Sequence, residues 1–267
     1  MAERGVSDVV GFVLVFALVT STAAIVYTVG FSGLQDTREE ERLSNAERVF
    51  DILADNVADL HYRGAPSRAT EIKLADATLG FGQETSLRVE VTNMPSSSPS
   101  YGTNLDPIVY APTGSPVQLV YENGAVLRER RNAGSVLTER PDAVFRVDGT
   151  TKTAVIPFVQ TRRTRSSGVG GSSTVRIRTE RSGSEVLGVL ASPSDADSDP
   201  DGDGSDEYRV VYAVETTENR APRWEASLEE QISWRSDACS VSGGTVTCAF
   251  GVERLYVTAT RVDVSFS

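Results

Sequence analysis

The sequence predicts an α+β protein in which a long N-terminal helix, transmembrane and then amphipathic, is joined to a mainly antiparallel β-sandwich-like head. Three observations carry this. Residues 9–31, VVGFVLVFALVTSTAAIVYTVGF, contain no charge. As a helix they would span roughly 34 Å, enough for a hydrocarbon core of about 30 Å. Next, apolar residues at Leu43, Ala46, Phe50, Leu53, Val57 and Leu60 recur in steps of three and four between charges, which marks one face of a helix. From Glu71 onward the period falls to two, as in half-buried strands.

Taken in order, the chain begins with a short segment that carries Glu3 and Arg4. A secretory signal peptide is one reading, with small residues from Ser21 to Ala24 as its cleavage site, but the apolar run continues past them to Phe31. A plain signal anchor is another. Arg4 and the amino terminus are the cations on that side, so the N-terminus is expected in the cytoplasm and the head outside it. Gly30 and Gly33 can loosen the junction between the two helix halves, and Gly64 followed by Pro66 is a stop signal.

Past the stop, Leu87, Val89 and Val91 alternate with Arg88 and Glu90, and Val175 and Ile177 with Arg176 and Arg178. Val257 and Ala259, then Val262, Val264 and Phe266, repeat the scheme near the C-terminus. Glu122-Asn123-Gly124 and Asp148-Gly149 mark hairpin turns. Short strands between such turns suggest an antiparallel sandwich or barrel-like head. One helix is expected over residues 222–234, with Pro222 at its start and Trp224, Leu228 and Ile232 four apart. Trp224 and Trp234 read as core or sheet cover. Residues 96–102, 166–173 and 192–205, rich in Ser, Gly, Pro or Asp, read as surface loops.

The first residues carry a more specific signal. Arg4-Gly5-Val6-Ser7-Asp8-Val9-Val10-Gly11 resembles the processing signal and helix start of haloarchaeal type IV pilin-like proteins. The resemblance covers about the first thirty residues, and it departs from the family pattern in two places. Asp8 stands where a proline is usual, and Val10 stands where bacterial pilins often place a glutamate. It implies a prepilin-type leader at 1–5, cleaved by a prepilin peptidase between Gly5 and Val6. It further implies a transmembrane helix at 6–32, an amphipathic continuation at 33–64 that packs on the head, and an extracytoplasmic β-rich head at 65–267. A membrane anchor followed by a separate stalk or coiled coil is the alternative.

The chain carries 37 acidic against 26 basic residues for a net charge of −11, and its only lysines are Lys73 and Lys152. Nucleic acid is therefore not expected as a partner. An acidic, lysine-poor surface suits solubility in concentrated salt and points to a halophile.

Cys239 and Cys248 flank a Ser/Gly/Thr-rich stretch that a hairpin would close. In an extracytoplasmic head they are a candidate disulfide, weighed against free thiols and a metal site. Zinc would want about four ligands, and the single histidine, His61, is remote in sequence. Asp197, Asp199, Asp201 and Asp203 alternate and are interrupted by Gly202, like the first half of a calcium loop. Tyr208 occupies the place of the closing glutamate, so a solvated acidic loop competes with calcium. Calcium is the one cofactor with any support.

A catalytic role finds none: His61 lacks a triad setting, and Gly168-x-Gly170-Gly171 lacks the lysine of a phosphate loop. Arg162, Arg163 and Arg165 read as partners of surface acids. No asparagine lies in a glycosylation acceptor. The expected function is that of a type IV pilin-like, membrane-anchored surface subunit, a minor pilin or pseudopilin, with membrane lipid, a prepilin peptidase and other pilin-like subunits as partners. The alternative is a single-pass, membrane-tethered binding module that does not assemble.

Overall fold

The structure, a computed structural model, describes residues 4–94, 98–164, 168–191 and 207–267, and the side chains of these except 4–8 and 29–38. The chain divides into two compact units, residues 1–45 and 46–267. One helix, α1 (Arg4–Tyr62), contains Val9–Thr28, a stretch long and apolar enough to cross a membrane with none of it buried.

In the second unit, the α1 side chains of Ala46, Phe50, Leu53, Val57 and Leu60 are buried. These are the apolar positions spaced by three and four, so the residues at 46–62 belong structurally with the strands. The helix stops where Gly64 takes a φ of +69° and the amides of Arg63 and Ala65 both donate to the Asp59 carbonyl, a left-handed closure that favours glycine.

Among the described residues, sixteen strands and a second helix follow. The first eight strands are β1 (Ser67–Lys73), β2 (Ala77–Phe81), β3 (Thr85–Val91), β4 (Ser100–Leu105), β5 (Ile108–Pro112), β6 (Val117–Glu122), β7 (Ala125–Arg130) and β8 (Gly134–Glu139). Then come β9 (Val144–Asp148), β10 (Thr151–Arg163), β11 (Gly168–Gly171), β12 (Thr174–Leu190) and β13 (Tyr208–Glu215). Helix α2 (Ala221–Gln231) precedes β14 (Cys239–Ser242), β15 (Thr245–Val252) and β16 (Arg254–Phe266).

They form three sheets, ordered β1-β12-β16-β10-β9, β11-β2-β5-β6-β7-β8 and β14-β15-β13-β3-β4. Among the described residues all pairings are antiparallel except β10 with β16, which run parallel. The first and third sheets share one core, in which Ile156, Phe158, Leu255 and Val257 meet Leu87, Val89, Val210, Tyr212 and Phe250, with Trp224 and Leu228 of α2 in the same cluster.

Strand β16 shows how the sequence assigns its faces. Leu255, Val257 and Ala259 are buried on one parity; Thr260, Val262, Val264 and Phe266 are buried on the other. Because successive side chains point to opposite faces, the strand changes its buried face between Ala259 and Thr260. Thr260 there accepts or donates a 2.8 Å hydrogen bond with Nδ1 of His61 at the end of α1.

Two expected loops are in part strands. Residues 100–102 belong to β4, which pairs with β3, and residues 168–171 form β11 on the edge of the second sheet. Glycine explains the second case: a Cβ on Gly168 would lie 2.9 Å from the Leu79 carbonyl, so only a bare backbone can approach β2 this closely. The expected loop at 192–205 lies outside the described residues. Helix α2 ends three residues before the expected Trp234, with Ile232 as its C-terminal cap.

Candidate functional site

The residues predicted to carry function fall in separate places. Gly5 and Val6 lie in the first turn of α1. Asp197, Asp199, Asp201 and Asp203 lie outside the described residues. Among the described residues, no group of three or more His, Cys, Asp or Glu is placed to hold a metal ion.

Cys239 and Cys248 are direct cross-strand partners in β14 and β15 and form a disulfide. The carboxylate of Glu229 on α2 accepts the amides of Ala238 and Cys239 at 3.1 and 2.7 Å, fixing the helix to this hairpin. Closing so short a loop restricts the unfolded chain by about 2–3 kcal/mol. Replacing both cysteines by serine should therefore lower stability by about that amount, and denaturant unfolding with and without reductant measures it.

The two arginines that end β10 pair with acids, as expected, and Arg165 lies outside the described residues. Arg162 meets Asp263 at 2.8 Å and Arg163 meets Asp106 at 2.6 Å. Burial raises the Asp106 carboxyl, but the hydrogen bonds and charge of Arg163 outweigh it and hold the group below its usual range. His61 is partly buried, which lowers its imidazole below the ordinary value.

Two buried polar clusters were not visible in the sequence. In one, Glu122 at the end of β6 is fully buried. It accepts from Trp224 Nε1 at 2.6 Å, Thr85 Oγ1 at 2.8 Å and Thr216 Oγ1 at 3.1 Å, and pairs with the Arg220 guanidinium. Glu129 stands on the other side of Arg220 at 3.5 Å and also accepts from Gln118 and Asn219. The network ties the second and third sheets to the start of α2. With both carboxylate oxygens of Glu122 engaged, it is built to hold shape.

The second cluster lies at the β6–β7 turn. Tyr121 and Asn123 are fully buried, and Tyr121 Oη, Asn123 Nδ2 and Asp142 Oδ2 have no hydrogen-bond partner among the described residues. Asn123 Oδ1 accepts the Val159 amide at 2.7 Å, while Tyr62 Oη donates to the Asp142 carbonyl at 3.0 Å. Burial, with Glu139 nearby, pushes the Asp142 carboxyl up to about 6, and burial with Asp142 nearby pushes the Tyr62 hydroxyl up to about 12.

A carboxyl raised in the folded state is bound more tightly as its neutral form. Its stabilising contribution is present at acid pH and is lost as pH rises from about 4 to about 6, by up to about 2–3 kcal/mol. Asp142→Asn should remove this slope and raise the melting temperature at pH 7 more than at pH 4, which thermal scans across that range would show.

An open groove of about 670 Å³ lies where the first and third sheets approach. Its lining includes Arg88 of β3, Asn104 of β4, Gln160 and Arg162 of β10, Glu185 of β12 and Arg261 of β16.

These features define an α+β protein with one N-terminal helix apolar enough to span a membrane and a disulfide-bonded unit of mostly antiparallel strands. The chain belongs to a family of unknown function, DUF7289, whose model matches residues 4–265. No curated protein and no solved structure matches it.

Proposed function

We propose that the chain is a haloarchaeal type IV pilin-like, membrane-anchored surface subunit, a minor pilin or pseudopilin that acts in filament assembly or surface interaction. The observation that carries this reading is the make-up of α1: an exposed, uncharged stretch at Val9–Thr28 and, in the same helix, turns at 46–60 whose apolar side chains are buried. A simple anchor requires only the first. In this reading the helix occupies lipid before assembly and the apolar core of a filament afterwards, with Ala17, Ser21 and Ala24 allowing close helix contact.

A prepilin peptidase cuts between Gly5 and Val6, the N-terminal segment is cytoplasmic, and the sandwich-like head is extracytoplasmic. The disulfide supports that side, since such bonds persist in oxidising compartments. Electron microscopy of cells with and without the chain tests assembly: loss or shortening of surface filaments is expected on deletion, and unchanged filaments contradict a role in building them.

A second reading, a single-pass membrane-tethered binding module that does not assemble into filaments, is favoured by one observation, the open groove between the first and third sheets. In that reading Asp197, Asp199, Asp201 and Asp203 bind calcium, and the acidic loop or the head is the receptor surface.

A further inference from the structure

The groove between the first and third sheets has an uneven charge that selects a ligand class. Arg162 is neutralised by Asp263 at 2.8 Å and Arg261 by Glu185 at 2.6 Å. Arg88 is different. It is exposed, and it has neither an ion pair nor a hydrogen bond among the described residues. Its cross-strand neighbour on β4 is Gly102, which has no side chain to cover the guanidinium. The groove therefore presents one uncompensated cation on a chain whose net charge is −11.

The rest of the lining mixes the amides of Asn104 and Gln160 and the hydroxyls of Ser86 and Thr103 with the apolar Leu87 and Leu187. Gln160 Nε2 donates to the Asn104 carbonyl at 3.1 Å, and Asn104 Nδ2 donates to Glu84 at 2.8 Å. One N–H of each amide is engaged within the protein, so each side chain keeps its oxygen as an acceptor and a second N–H as a donor. A guanidinium beside two amides that can each accept and donate complements a molecule that carries a carboxylate and several hydroxyls, since a hydroxyl also does both.

We propose that this groove binds an acidic saccharide, with the carboxylate of a uronic acid on Arg88 and neighbouring hydroxyls donating to Gln160 and Asn104. Arg88 and the carboxylate form a charge-assisted, bidentate pair. An acidic peptide fits less well, because the lining sets the amides beside Leu87, Leu187 and Ala259, which suits a sugar's hydroxyls and its C–H faces together. The inference does not rest on filament assembly.

The test uses the full chain in detergent micelles at the lowest salt concentration that leaves its melting temperature unchanged, with trigalacturonate as the probe and neutral galactotriose and hexaglutamate as comparisons, followed by calorimetry. Trigalacturonate should bind about tenfold more tightly than galactotriose, the scale of one charge-assisted hydrogen-bonded pair. Arg88→Gln should erase that preference while leaving the melting temperature unchanged, since Arg88 supports nothing in the fold. Gln160→Ala should weaken both sugars alike, which separates hydroxyl recognition from charge. The proposal is overturned if trigalacturonate does not bind, if Arg88→Gln binds it as well as the parent chain, or if hexaglutamate binds as tightly as the sugar.

Discussion

Glu122→Ala is expected to cost about 3–5 kcal/mol, because it strips the carboxylate from a buried ion pair and leaves the other charge uncompensated. Arg220 is only 3 % exposed, so water cannot replace the lost partner, and Glu129 at 3.5 Å is already shared with Gln118 and Asn219. The same change orphans the indole N–H of Trp224 and the hydroxyls of Thr85 and Thr216. Glu122→Gln keeps the shape and one oxygen acceptor, so it should lose less. A joint Glu122→Leu, Arg220→Met replacement removes both charges and should recover much of the loss, since apolar isosteres of a buried pair are often tolerated. Urea unfolding of the four proteins decides it. Equal stability of Glu122→Ala and the parent chain would mean that the network carries no weight.

Gly124→Ala should cost about 3–4 kcal/mol, from two causes that add. The residue sits at φ +85°, where a side chain is strained, and its Cβ would lie 2.6 Å from the carboxyl carbon of Asp142. Pairing it with Asp142→Ala removes the carboxyl from the overlap but leaves the Asp142 amide nitrogen at 2.9 Å and the backbone strain, so the double variant should be more stable than the sum of the two single losses by about 1 kcal/mol. Strict additivity would place the whole cost in the backbone.

These two sites also show where the sequence stops being legible. Asn123-Gly124 announces a hairpin because both central residues of the turn need positive φ, and they have it, at 47° and 85°. That the turn is buried under Asp142 has no local signature: burial depends on which segment crosses it, and here that segment is the connection between β8 and β9, which passes from the second sheet to the first. Glu122 reads as the polar edge of the turn for the same reason. A trace was present in the unbroken apolar runs on either side, Leu119-Val120-Tyr121 and Ala125-Val126-Leu127, which are buried on both faces and so mark a layer covered twice.

Alternation served better. The step from Val257 and Ala259 to Val262, Val264 and Phe266 changes parity, and the strand changes its buried face at that point. The pairing of β10 with β16 was out of reach, since a parallel neighbour is set by chain crossover and leaves the period of two unaltered. The cysteines were legible because a short hairpin constrains both ends at once. Glycine misled at β11: absence of side chains reads as a flexible loop, whereas there it permits backbone contact with β2. The groove was invisible, because Arg88, Gln160 and Asn104 come from three strands and meet only through the packing of two sheets.

The central claim is that α1 belongs to a pilin-like subunit, and the bond between Gly5 and Val6 tests it most directly. Intact-mass analysis and N-terminal sequencing of the protein purified from its native membrane should find a mature chain that begins at Val6. A chain that still begins at Met1 or Ala2 would contradict the account.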